Sequence, residues 1–261
     1  MKKIGDVGLE VLGNIATVEI QRPPNNFFDL DLINCLADAF AEIDEINAVR
    51  ASVLCSKGKH FCAGANFSNK TEQKKRDTRL ETDGNPLYKA ATRLFSRKKP
   101  IVGAIQGAAV GGGFGLAVMP DFRIVSPETR FTANFVKLGF HPGFGLTYTL
   151  PKIIGHQKAS LMFLTGQRIN GETAYKWGLA DGLSTIENIS SDAIKLAKDI
   201  AENAPLAIVS VRATMREGIA DAVKNQTDIE FQEQFRLQKT KDHKEGIKAV
   251  AERRRGQFTG K

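Results

Sequence analysis

Cysteine is scarce in this chain. The three residues, Cys35, Cys55 and Cys62, are odd in number and show no paired spacing. That excludes a disulfide framework and a cysteine-built metal site, and predicts reduced thiols in a cytoplasm-like compartment. Long apolar runs are missing too, since none approaches the ~20 residues of a membrane span. The opening "MKKIGDVGLE" breaks at Gly5 and Asp6 before any apolar signal core could form. Several catalytic signatures are absent: no G-K-[ST] phosphate loop, no G-x-S-x-G elbow and no His-Glu-x-x-His. The G-x-G-x-x-G of dinucleotide folds fails as well, because the sixth position is Leu116 counted from Gly111 and Val118 counted from Gly113.

What is present describes a globular chain of 261 residues, 42% hydrophobic and 25% charged, long enough for a sizeable core. The formal charge of +8 comes from scattered clusters such as "NKTEQKKRDTR", "SRKK" and "AERRRGQ". No basic stripe is interleaved with aromatics, so a nucleic-acid partner is not expected. The charge reads instead as solvated surface with some pull on a small anionic ligand.

Along the chain, "NIATVEI", "ASVLCS", "PIVGAIQG" and "DFRIVS" read as strands. Leu30, Ile33, Ala37, Phe40 and Ile43 fall on one helical face, with Asp29 or Asp31 as N-cap. A second helix is expected from about Pro86 to Arg97, after a polar stretch from Ser68 to Asn85. Repeated strand–helix–strand units predict an α/β core with parallel strands. Beyond about Thr147 helical segments dominate, and the economical reading is one domain, with a core over residues 1–195 and a helical C-terminal extension over 196–261.

The stretch "AIQGAAVGGGFGLAV" sets Gly111, Gly112, Gly113 and Gly115 at a strand-to-helix junction. Each glycine in a helix costs roughly 1 kcal/mol relative to alanine. Two uses of bare backbone would offset that cost: tight strand–helix packing, or amide N–H groups offered to an oxygen that must come close. On the junction alone the two stand level.

A second loop of small residues, "GKHFCAGANF", follows the buried strand "ASVLCS". Together the two loops resemble those of the crotonase superfamily, the enoyl-CoA hydratase/isomerase family. The resemblance runs from "IQRPPNNFFD" through "DFRIVSPETRF", "LGFHPGFGLTYTLPKIIG" and "LTGQRINGETAYKWGLADGL" to "DHKEGIKAVAERRRGQF". It implies a repeated ββα spiral core, a helical C-terminal region and assembly as homotrimers, often paired into hexamers. It implies that the amides of Ala65 and Gly112 form an oxyanion hole for the thioester carbonyl of an acyl-CoA. One such donor is worth about 2.7–4 kcal/mol of barrier. CoA would arrive as part of the substrate, with no separate cofactor and no metal. Lys59 matches a basic position near the CoA phosphates; Arg22 and Asn26 border the nucleotide, with Ala63 and Asn66 beside it.

The chain departs from the hydratases where acids are needed. Their two glutamates align with Gly115 and Phe135, the isomerases' single glutamate also with Phe135, and the dehalogenases' aspartate with Gly145. Adding water across a double bond needs a base and an acid, so the usual hydratase mechanism is not expected. His141 in "GFHPGFG", at an expected helix start, is the candidate base, with a backbone-bonded turn histidine as the alternative. Tyr88 is a candidate donor to the acyl group, or a packing tyrosine. Glu72, Glu81 and Asp83 rank below them as surface carboxylates, and Asp121 is assigned to the scaffold. Two functions follow: lyase or isomerase chemistry through a thioester enolate, or an acyl-CoA binder that keeps the hole without the chemistry. The intact small-residue loops favour the enzyme.

Overall fold

The computed structural model describes residues 1–66 and 85–261. Three N-terminal strands, β1 (Lys2–Ile4), β2 (Val7–Leu12) and β3 (Ile15–Ile20), form an antiparallel meander. The chain then crosses over through α1 (Leu30–Glu45), whose N-terminus is capped by the Asp29 carboxylate accepting from Leu32 N at 2.9 Å. Leu32, Ile33, Leu36, Ala37, Phe40 and Ile43 of α1 are buried, the face that the 3.6-residue period marks. The crossover delivers β4 (Ala51–Ser56), buried at every position and parallel to β3. A strand covered on both faces shows an apolar run without alternation.

Helix α2 (Pro86–Phe95) starts with Asn85 as N-cap and Pro86 in its first turn, where a missing N–H costs nothing. It leads to β5 (Ile101–Ile105), which pairs in parallel with β4. The chain then leaves this sheet for β6 (Ala108–Val110), turns at the glycines into the short α3 (Gly112–Val118), and returns as β7 (Phe122–Val125) beside β5. Strand β8 (Arg130–Thr132) pairs with β6, and a 3-10 turn covers Asn134–Leu138. Next come α4 (Leu146–Ile154), α5 (His156–Thr165), β9 (Arg168–Asn170), α6 (Gly171–Lys176) and β10 (Gly182–Leu183). Four helices close the chain: α7 (Ile189–Ala201), α8 (Pro205–Met215), α9 (Ile219–Leu237) and α10 (Lys241–Ala251).

Among the described residues there is a seven-stranded sheet in the order β1-β2-β3-β4-β5-β7-β10 and a three-stranded sheet β6-β8-β9. The mixed α/β architecture is thus the one the alternating pattern predicts. Two details differ. The helical region after Thr147 also holds the short strands β9 and β10. The boundary expected at 195/196 falls inside α7, whose Ala193, Ala197 and Ala201 pack on Val53, Val102 and Ala104 of the main sheet. Small side chains on one helix face allow that close approach to a sheet. Helix α7 therefore covers the core rather than dividing it. No helix among the described residues is long and apolar enough to cross a membrane.

Candidate active site

The loop after β4 and the glycine junction after β6 are laced together. Phe61 N donates to Gln106 O at 2.9 Å, Cys62 N to Ala108 O at 3.0 Å, and Val110 N to Cys62 O at 3.1 Å. Two glycines make this lacing possible. Gly64, at φ +86°, would place a β-carbon 2.7 Å from Val110 O, and a β-carbon on Gly113 would overlap Cys62 O. Gly115 backs onto Phe144 in the same way. Packing therefore accounts for part of the glycine cost at the junction.

Two amides stand apart from this network. The N–H groups of Ala65, in the first loop, and Gly112, the first residue of α3, make no hydrogen bond among the described residues. Gly111 before it adopts φ +57°, which a β-branched residue would resist. Both Ala65 and Gly112 are half-exposed. For Gly112 an unbonded amide is the ordinary state of a first helical residue, whose N–H has no partner within the helix.

The walls are aromatic. The Phe28 ring lies against the α-carbon of Gly112, and it meets Phe144 edge-on with centroids 5.9 Å apart at 65°. The Phe135 ring reaches within 3.8 Å of a β-carbon placed on Gly111, and Asn134 Oδ1 within 3.7 Å. The two positions expected to align with the hydratase acids hold Gly115, packed against the Phe144 ring, and the buried Phe135.

His141 lies five residues before α4 begins, so it is not at a helix start as expected; the helix opens only after Gly145, its left-handed N-cap. The half-buried imidazole places Nδ1 2.8 Å from Pro142 O, a turn contact. Tyr88 donates its hydroxyl to Gln234 Oε1 at 2.7 Å, and Gln234 Nε2 donates to His141 O at 2.9 Å. The structure therefore joins Tyr88 and the His141 loop through a residue that the sequence reading did not single out. Its neighbour one turn earlier, Glu230, was missed too. This carboxylate is fully buried and accepts from Gly145 N at 2.7 Å, Thr147 N at 3.0 Å and Thr147 Oγ1 at 2.6 Å. Burial pushes Glu230 up to about 7 against the downward pull of those three donors.

The residues expected near CoA fall in one neighbourhood with different commitments. Asn26 is fully buried; its Oδ1 accepts from Arg22 N at 2.9 Å, and its Nδ2 donates to Lys57 O and His60 O at 2.8 and 2.6 Å. Its side chain pins the two loops and offers a nucleotide nothing, a scaffold role in place of the expected contact. Arg22 is held by Asp6 and Asp29, each at 2.6 Å. Lys59 and Asn66 are exposed, and Ala63 is half-buried with its N–H on Asn25 O. Asp121 bridges Arg212 and Arg216 at 2.9 and 3.0 Å and accepts from Ile101 N at 2.8 Å, the scaffold role expected of it. Glu72, Glu81 and Asp83 lie outside the described residues.

The fold and the laced glycine loops define a class of proteins acting on CoA thioesters. A family model described as enoyl-CoA hydratase/isomerase matches residues 10–261. The chain is 27% identical over 253 residues to 1,2-epoxyphenylacetyl-CoA isomerase of Escherichia coli (strain K12), covering 95% of each protein. It is 30% identical over 256 residues to short-chain-enoyl-CoA hydratase of Clostridium acetobutylicum, covering 97% of each. The crystal structure of an enoyl-CoA hydratase/isomerase from Pseudoalteromonas atlantica T6c shares the fold, with a TM-score of 0.86 at 22% identity over 98% of this chain and 100% of that one. The chain belongs to the enoyl-CoA hydratase/isomerase family, and it is an enzyme of that type.

Proposed function

We propose that the protein holds the thioester oxygen of an acyl-CoA between the amides of Ala65 and Gly112 and stabilises the enolate that forms when an α-proton leaves. The observation that carries this reading is the pair of unbonded amides on the two laced loops. Backbone donors fixed in place beforehand act on developing charge without reorganising. CoA is carried in by the substrate, and no further cofactor is invoked. Its nucleotide end is taken by Lys59, Ala63 and Asn66 of the first loop together with Arg22; a half-buried Arg22 already paired with two aspartates contributes less than the exposed Lys59.

The reaction class follows from the walls. Phe28, Phe135 and Phe144 surround the glycines, and no carboxylate stands at position 115 or 135. One base suffices to move a proton, whereas hydration needs a second group to activate water. Double-bond isomerisation or α-proton exchange is therefore favoured over hydration, with His141 as the base. The names of relatives include an isomerase of 1,2-epoxyphenylacetyl-CoA and a short-chain-enoyl-CoA hydratase. A second reading, an acyl-CoA binder without turnover, is supported by the same apolar walls and by the turn contact of His141. Assembly as a homotrimer, or as two trimers, fits the apolar residues that α8 leaves uncovered.

Solvent deuterium incorporation at the α-carbon of a saturated acyl-CoA separates these readings. The enzyme exchanges the proton and His141→Gln loses the exchange. Exchange that persists unchanged in the variant removes His141 as the base, and exchange absent from the unmodified protein supports the binder.

A further inference from the structure

Phe144 has φ +65°, a left-handed backbone conformation uncommon for any side chain with a β-carbon and rare for a bulky one. Such a conformation persists only where its surroundings over-determine it. Here the constraints come from two successive turns of α9. On the N-terminal side, Gln234 Nε2 donates to His141 O at 2.9 Å and to Pro142 O at 3.2 Å, while its Oε1 accepts from Tyr88. On the C-terminal side, Glu230 accepts from Gly145 N and from the amide and hydroxyl of Thr147. Gly143 has no room for a side chain because the Tyr88 hydroxyl occupies that space. The loop is gripped on both sides of one strained residue.

The grip decides where one ring goes. Phe144 is 1% exposed, and its side chain fills the volume between Gly115 and the Phe28 ring. Phe28 is half-exposed and rests on Gly112. Phe28 thus touches both Gly112 and Phe144, and Phe144 in turn backs onto Gly115 one turn further along α3.

We propose that Phe144 is the stop of the acyl cavity, so that short acyl chains are the substrates, and that Gln234 and Glu230 are positioning residues that hold the stop in place. This rests on the reading that Gly112 receives an acyl-CoA thioester. It adds what limits the acyl group, which neither the family nor the Gly112 amide determines.

The test is calorimetric binding of saturated acyl-CoAs from butyryl to dodecanoyl to the full chain and to Phe144→Ala, with Phe144→Leu as the milder variant. In the unmodified protein affinity stops rising at a short chain length. In Phe144→Ala that point moves outward by two or more methylenes, each methylene admitted being worth roughly fourfold in affinity. Gln234→Leu shifts the point the same way and adds nothing in the Phe144→Ala background, because residues acting through one another are not additive. An unchanged chain-length profile in both Phe144 variants overturns the stop while leaving the thioester reading intact. Uniform weakening at every chain length in Gln234→Leu overturns its positioning role. Failure of the unmodified protein to bind any of the series removes the thioester reading and the stop together.

Discussion

Glu230 makes the stability of this protein depend on pH in an unusual direction. Its carboxyl is buried, its partners are two amides and a hydroxyl, and burial carries it from an ordinary 4.5 to about 7. The folded state therefore holds the proton more tightly than the unfolded state. Between pH 4.5 and 7 the native protein binds more protons, so stability falls as pH rises through that window and is level on either side. A displacement of this size corresponds to roughly 3 kcal/mol. For a chain of this length that is roughly 6–12 °C in midpoint temperature. Glu230→Gln removes the titration but also one acceptor, a pH-independent loss of about 1 kcal/mol. Urea unfolding of both proteins from pH 4 to pH 8 isolates the effect as the difference between two curves. The difference should favour the wild type at pH 4.5 and move towards the variant by roughly 3 kcal/mol at pH 7.5. A flat difference across the window would refute the buried, neutral-partnered carboxyl on which the reasoning stands.

Two other perturbations address other parts of the molecule. Asp121→Ala strands the guanidinium groups of Arg212 and Arg216, both largely buried, and should cost about 3–5 kcal/mol in urea unfolding; a loss under ~1 kcal/mol, the scale of an exposed ion pair, would mean the network is solvated. Leu206 and Met215, 85% and 80% exposed, are two of the large apolar residues that α8 leaves uncovered, and the proposed trimer would bury them. The double variant Leu206→Glu/Met215→Glu should sediment as a monomer at micromolar concentration with its thermal transition retained, and an unchanged assembly would place the subunit contact elsewhere.

Much of the fold was legible because local chemistry and tertiary packing agree. Asp29 caps α1 as its position suggests, and β4 is an apolar run because both its faces are covered. The two small-residue loops were legible as a pair, since each is short, glycine-bearing and placed directly after a strand, β4 for the first and β6 for the second. Helix α9 was not legible in its function. Its apolar residues Ile229, Phe231 and Phe235 attract a periodicity argument, yet Ile229 is exposed while Val223, Thr227, Glu230 and Gln234 form the buried stripe. The signal was available as polar residues at helical spacing running on from one valine. Reading it requires knowing that the facing surface is a loop with free amides and carbonyls. The expected helix start at His141 missed for a related reason: Gly143 and Gly145 delay the helix, and pattern alone does not locate the onset of α4 beyond a left-handed glycine.

The order of strands across the main sheet has a consequence for how the molecule is made. Strands β1, β2, β3, β4, β5, β7 and β10 lie side by side in the order in which they occur along the chain. A polypeptide emerging from its N-terminus can thus extend the sheet from one edge, each new strand finding its neighbour already in place. The amide of Ala65 is laid down early and that of Gly112 soon after. The residues that seat the 141–147 loop, Glu230 and Gln234, arrive more than eighty positions later. Most of the sheet can thus be in place well before that loop is fastened, and Phe144 is fixed only once α9 has been made.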